Sequence, residues 1–188
     1  MTTERPQRAD ARRNAIAVIE AARTLFAERG IDVPMEEIGR AAGVGKGTLY
    51  RHFPTRDHLF AAVSRDRFDR LRAEAESLLA DAGDPYEALE AWLRDYDRSV
   101  QHYRGLRAVV SEGIADEASA IFADCAPMKA RAAALLSRAQ ESRQVRDDVD
   151  ITEILSLIAA LPDKFRDADG VSALLDLVLR GMVTGSAE

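Results

Sequence analysis

A single cysteine, Cys125, leaves no second thiol for a disulfide within the chain, so nothing in the composition calls for an oxidising compartment and a cytoplasmic location is expected. Long apolar runs are missing too. The two longest, near Ile154 to Leu161 and Leu174 to Val183, are interrupted by Pro162 and by Asp176 and Arg180, well short of the roughly 18 residues a membrane span needs. No apolar run accompanies Arg5, Arg8, Arg12 and Arg13 at the start, which excludes a signal peptide and reads as a basic arm. Runs of β-branched residues are scarce and no stretch alternates, so strands are not expected and the class is all-α. Internal repeats and low-complexity tracts are absent as well.

What is there suffices for a buried core. With 188 residues, 47% hydrophobic and 31% charged, the chain allows one large or two small globular domains and excludes a disordered or fibrous protein. Its net charge of -6 argues against a polyanionic partner only until the charge is divided along the chain. Residues 1–58 hold 10 basic and 8 acidic residues, whereas the remainder holds 16 and 24. A cationic N-terminal segment on an acidic body is compatible with nucleic acid, because binding follows the potential of one face.

Helical spacing and punctuation divide the chain. Residues 12–29 place Ile16, Ile19, Ala22 and Phe26 on one stripe, and Gly30 follows at the left-handed position that ends a helix, with Ile31 set to touch Phe26. Pro34 suits the first position of a short second helix that Gly43 terminates. A third helix runs from Gly45 to Phe53 and stops at Pro54, and Thr55 caps a long fourth helix carrying Leu59, Val63, Phe68 and Leu71. Asp84 and Pro85 open a fifth, with Leu89, Leu93, Tyr96, Val100 and Tyr103 on one side and Gly105 at its end. Beyond lie a short helix near 106–112, a long region at about 117–143 that Pro127 bends or divides, and two apolar helices near 151–161 and 171–183. Asp150, in the acidic cluster with Asp147 and Asp148, suits a helix start better than a calcium loop. The last two helices have apolar surfaces wider than one core needs, which points to a partner subunit.

The segment from Glu36 to Phe53 is a short helix, a glycine turn and a second short helix, the order of a helix-turn-helix. Gly43 supplies the turn, the small residues Gly39 and Ala42 allow close approach, and Ile38, Val44, Leu49 and Phe53 form the shared core. Setting Leu49 and Phe53 inward puts Gly47, Thr48 and Arg51 outward, flanked by Lys46, Tyr50 and His52. That face suits DNA. Arg51 can donate to a guanine edge, Thr48 and Tyr50 to phosphate or base, Gly47 admits the backbone closely, and Lys46 and Arg56 add counterion release.

The run from Ala41 to Leu59, AAGVGKGTLYRHFPTRDHL, following a helix that ends Leu25-Phe26-Ala27-Glu28-Arg29-Gly30, closely resembles the tetracycline-repressor (TetR) family over about residues 12–60. The resemblance implies a homodimeric, ligand-responsive transcriptional regulator, usually a repressor. It implies a palindromic DNA operator, an effector pocket in the C-terminal helices and a four-helix dimer interface made by the last two helices of each subunit. By matching positions it assigns DNA contact to Lys46, Gly47, Thr48, Tyr50, Arg51, His52 and Arg56. The sequence departs from many relatives at Val33-Pro34 and at Gly45, where a hydroxyl residue is usual, so affinity is expected to lean more on the N-terminal arginine arm.

Other chemistry finds little support. Gly43-Val44-Gly45-Lys46-Gly47-Thr48 lacks the spacing of a phosphate loop, since position 40 is arginine and position 47 glycine, and a helix precedes it. His52 and His58 have no ligand-spaced companions, so no metal or cofactor is expected. In the C-terminal module Trp92, Tyr96, Tyr103 and Phe122 are candidates to line an effector cavity, with Asp95, His102, Arg107 and Cys125 as its polar groups, or else they pack helices. Such a pocket favours an apolar or amphipathic small molecule. The expectation is thus a helix-turn-helix DNA-binding domain with a basic arm at residues 1–55 and a helical effector-binding and dimerisation domain at 56–188. No catalytic set supports the alternative of a small helical enzyme, and a helical adaptor acting through a protein partner stays open.

Overall fold

The computed structural model describes residues 4–101, 105–162 and 172–184, with side chains from residue 10 onward. His102, Tyr103, Val171 and the side chains of Arg5 and Arg8 lie outside the described residues. These residues form helices α1 Glu4–Arg29, α2 Met35–Ala41, α3 Lys46–His52, α4 Arg56–Ala80, α5 Pro85–Val100, α6 Leu106–Gly113, α7 Ala120–Glu141, α8 Ile151–Ala160 and α9 Ala173–Met182. Among the described residues there is no strand; Val145 and Val183 form an isolated antiparallel bridge.

Several expected boundaries move. Helix α1 begins at Glu4, so the expected arm is continuous with it; Pro6 falls in the first turn, where a missing N–H costs little. Its buried line is Val18, Ala22 and Phe26, leaving Ile16 exposed, because Phe26 stacks at 4.9 Å on Phe60 of α4 and so sets the helix's rotation. Pro34 stands one position before α2, its carbonyl accepting from Glu37 and Ile38. Helix α5 stops at Val100, and Gly105, at φ +88°, opens α6 instead of closing α5. Helix α7 runs through Pro127 without dividing: Ile121 and Cys125 before the proline and Met128, Ala132 and Leu135 after it are all buried on the same body.

Polar caps hold the ends as their chemistry dictates. Thr55 Oγ1 accepts from His58 N, Asp84 from Glu87 N, and Asp150 with Glu153 forms a full capping box at α8. Helix α4 packs most extensively against α7 and also touches α1, so it joins the N-terminal helices to the rest. Its C-terminal carbonyls are met by Arg138 of α7, which donates to Asp81 O at 2.8 Å and Gly83 O at 3.0 Å, with longer bonds to Leu78 and Leu79. A cation there opposes the negative end of the helix. Arg138→Met is expected to cost about 1–3 kcal/mol in urea unfolding, and Arg138→Lys to recover only part, since an ammonium lacks the guanidinium fork. An unchanged unfolding midpoint for Arg138→Met would remove this role.

Candidate nucleic-acid interface

The N-terminal site is built on the close seating of α3 against α2. Gly43 takes φ +66°, a conformation costly for side chains with a Cβ, and its N–H bonds Arg40 O while Val44 N bonds Gly39 O at 2.8 Å. The turn brings Leu49 against Gly39, where an added Cβ would lie 3.1 Å from Leu49 Cδ2. Ile38 and Leu49 are fully buried, Phe53 nearly so, and Val44 half-buried, as the helix-turn-helix spacing predicts. No side chain caps α3; Gly45 O accepts from Thr48 N and Leu49 N at 2.9 and 3.0 Å.

With Leu49 inward, Lys46, Gly47 and Arg51 are exposed and Thr48, Tyr50 and His52 half-buried. Arg51 forms no ion pair with any described residue, leaving its guanidinium available to an anion. A Cβ at Gly47 would meet nothing within 4 Å, so the fold does not require glycine there and its value lies in what approaches from outside. Tyr50 and Lys46 are less free. The Tyr50 hydroxyl donates to Glu36 Oε1 at 2.9 Å, and Lys46 Nζ lies 3.4 Å from the same oxygen and 5.8 Å from the Tyr50 ring centre.

The other two expected contacts are placed differently. Arg56, at the start of α4, donates to the carbonyl of Ile31 and so braces the turn between α1 and α2. His52 sits beside Phe53 and lines a cavity of about 320 Å³ bounded also by Ile19, His58, Arg65 and Asp124, on the side facing α1, α4 and α7. Glu36 is an acid in the positive first turn of α2. Its reach to Tyr50 crosses 14 residues, and no local spacing announces it.

In the C-terminal module the candidate effector residues are occupied by packing. Trp92 and Tyr96 are fully buried and stacked at 5.8 Å; Trp92 Nε1 donates to Leu71 O at 2.8 Å and the Tyr96 hydroxyl to Leu155 O at 3.3 Å. Asp95 holds Arg70 at 2.6 Å. Cys125 is buried, which pushes its thiol up to about 11, and Phe122 is half-buried with Lys129 Nζ 4.0 Å over its ring. Arg107 pairs with Asp97 at 2.8 Å and donates to Ile158 O, and it also lines a cavity of about 410 Å³ between α6 and α8 with Gly105, Ser111 and Glu112. None of Trp92, Tyr96, Phe122 or Cys125 lines that cavity or the one beside His52.

A buried helix-turn-helix core with a cationic outward face, joined by a long helix to an all-helical body, defines a DNA-binding regulator. Comparison with known proteins makes the assignment specific. Residues 18–63 match the model for bacterial regulatory proteins of the tetR family, and residues 84–184 match the C-terminal domain of SbtR-like transcriptional regulators. The chain belongs to the tetR family of bacterial transcriptional regulators. Among solved structures it resembles the TetR transcriptional regulator SCO0520 of Streptomyces coelicolor, with 31% identity and a TM-score of 0.55 over 92% of this chain and 99% of that one. It also resembles RolR in complex with resorcinol, with 26% identity and a TM-score of 0.63 over 93% and 89%. The transcriptional repressor KstR2 of Mycolicibacterium smegmatis is 28% identical over 103 residues, which cover 54% of this chain and 49% of the repressor. The chain spans about half the length of the curated relatives it matches.

Proposed function

We propose that this protein is a ligand-responsive repressor that binds a palindromic operator as a homodimer, with residues 1–55 reading DNA and residues 56–188 dimerising and sensing. The observation that carries the reading is the exposed face of α3, where Arg51, with no ion pair among the described residues, stands beside Lys46, Gly47 and Thr48 on a buried core. Two such helices per symmetric dimer enter successive major grooves about 34–36 Å apart or at a multiple of that distance. Phosphate contacts set position, and Arg51 reads a base edge.

Dimerisation through α8 and α9 is supported by an apolar groove of about 300 Å³ lined by Val149, Ile154, Leu157, Leu177, Val178 and Met182. Leu157 is 51% exposed and Leu177 67% exposed, an arrangement that a second copy of the same surface relieves. The sensing role draws on RolR, solved with resorcinol, and on the cavity between α6 and α8. That cavity is bounded by Gly105, whose backbone lies against Ile31 of the α1–α2 turn, so an apolar or amphipathic effector seated there bears on the reading head through α6. A differential affinity of about 1–3 kcal/mol between the two arrangements changes operator affinity roughly 5–150-fold.

The test is operator selection from genomic fragments followed by Arg51→Ala. The variant is expected to stay folded and dimeric while losing about 1–3 kcal/mol of operator binding and relaxing discrimination at one base pair. Retained affinity and an unchanged base preference in a fluorescence titration would remove Arg51 from base reading.

A further inference from the structure

The outward surface of the reading head carries a counter-charge of its own. Glu36, in the first turn of α2, places Oε1 at 2.9 Å from the Tyr50 hydroxyl and 3.4 Å from Lys46 Nζ, so one carboxylate engages two side chains on the face of α3. A backbone hydrogen bond at Glu36, the Tyr50 hydroxyl and then Lys46 hold the Glu36 carboxyl below its ordinary range. It is therefore ionised at neutral pH. Lys46 is exposed, yet its ammonium lies against an acid and near the Tyr50 ring instead of projecting alone. A phosphate approaching Lys46 must compete with a fixed negative charge on the same protein surface. Exposed pairs are individually weak, but every lysine neutralising a phosphate contributes about 0.9 to the slope of log affinity against log salt, so one withheld lysine is measurable.

We propose that Glu36 is a positioning residue for DNA binding: its carboxylate orients Tyr50 and withholds Lys46 from the phosphate backbone, damping sequence-independent affinity. The proposal rests on the reading of the α3 face as the DNA contact surface. Its physical advantage is that sequence-independent binding comes almost wholly from phosphates, so a cation held back lowers retention on the excess of irrelevant sites. Base reading by Arg51 is left untouched.

The experiment uses the full chain and a fluorescein-labelled 30-base-pair duplex of arbitrary sequence, titrated between about 50 and 200 mM salt, the range in which phosphate-driven affinity falls steeply. Glu36→Gln keeps an oxygen to accept from Tyr50 and deletes the charge. It is expected to bind the duplex roughly 5–10-fold more tightly near 0.1 M salt, with the log–log slope steeper by about 0.9. Adding Lys46→Met to that variant should remove the gain in slope, because Lys46 is the cation the carboxylate holds back. An unchanged slope in Glu36→Gln overturns the proposal, as does weaker binding by that variant or a gain in slope that survives the added Lys46→Met. A folded wild-type protein that ignores the duplex even at low salt instead defeats the reading of α3 as a DNA surface, a separately recognisable result.

Discussion

On the proposed dimer through α8 and α9, replacing Leu157 and Leu177 together with arginine is expected to leave a monomer in sedimentation at micromolar concentration and to abolish binding to two-fold symmetric DNA. Both side chains project largely into solvent from a groove floored by the buried Ile154 and Met182, so the subunit's own core does not depend on them. In a two-fold dimer each substitution acts twice, giving four altered side chains. At roughly 1.5–3 kcal/mol for a leucine fully withdrawn from water, and with these side chains about half to two-thirds exposed in the subunit, the loss is about 3.5–7 kcal/mol, a rise of roughly 10²–10⁵-fold in the dissociation constant. Four arginines brought together without partners add to it. The far-UV circular dichroism of the variant should keep its helical signal, whereas Leu155→Ala, at a fully buried position, should lower the thermal midpoint. A dimer that survives both arginines places the self-association surface elsewhere.

Gly105→Ala is the second change with a large expected effect. The residue sits at φ +88°, which costs a residue with a Cβ about 1–2 kcal/mol, and the new methyl would lie 2.8 Å from Ile31 Cγ1 and 3.2 Å from Ile31 Cδ1. The β-branched Ile31 is buried and stiff at χ1, so it yields only with movement of the α1–α2 turn. Strain and contact together should cost about 2–3 kcal/mol and lower the melting temperature by roughly 4–12 °C. Ile31→Ala separates the two. It creates a cavity in the wild type, but in the Gly105→Ala background it also relieves the clash, so its cost there should be smaller by about 1 kcal/mol or more. Strict additivity in urea unfolding would show that the two residues do not press on each other. Since this contact joins α6 to the reading head, the single variant should also shift DNA affinity, in contrast to Arg138→Met at the far end of α4.

The legible parts of the structure are those whose partners lie within a turn or two along the chain. Gly43 at φ +66°, Leu49 buried against Gly39, Thr55 at the start of α4 and Asp150 at the start of α8 are all short-range, and each was placed by residues near it in the sequence. The exposed face of α3 followed from a 100° wheel once Leu49 was set inward. The aromatic residues of α5 were not legible in the same way. Trp92 and Tyr96 suit a ligand cavity or a core equally well by type, and only Leu71 O and Leu155 O, supplied by α4 and α8, make them packing residues here. His52 flanked the outward face by its helical angle, but Ile19 and Asp124 from distant elements enclose the space it borders. Pro127 reads as a bend or a division, and burial on both sides of it keeps α7 undivided.

The amino-acid sequence by itself determined the helical class, the helix-turn-helix and the composition of its outward face, because backbone hydrogen bonds, caps and apolar periodicity act between residues close along the chain. Tertiary structure alone decided that Glu36 engages Lys46 and Tyr50, that Gly105 rests on Ile31, and that Leu157 and Leu177 remain uncovered on the subunit. These depend on how whole helices dock, and docking is set by the summed burial of many side chains. No single spacing encodes it.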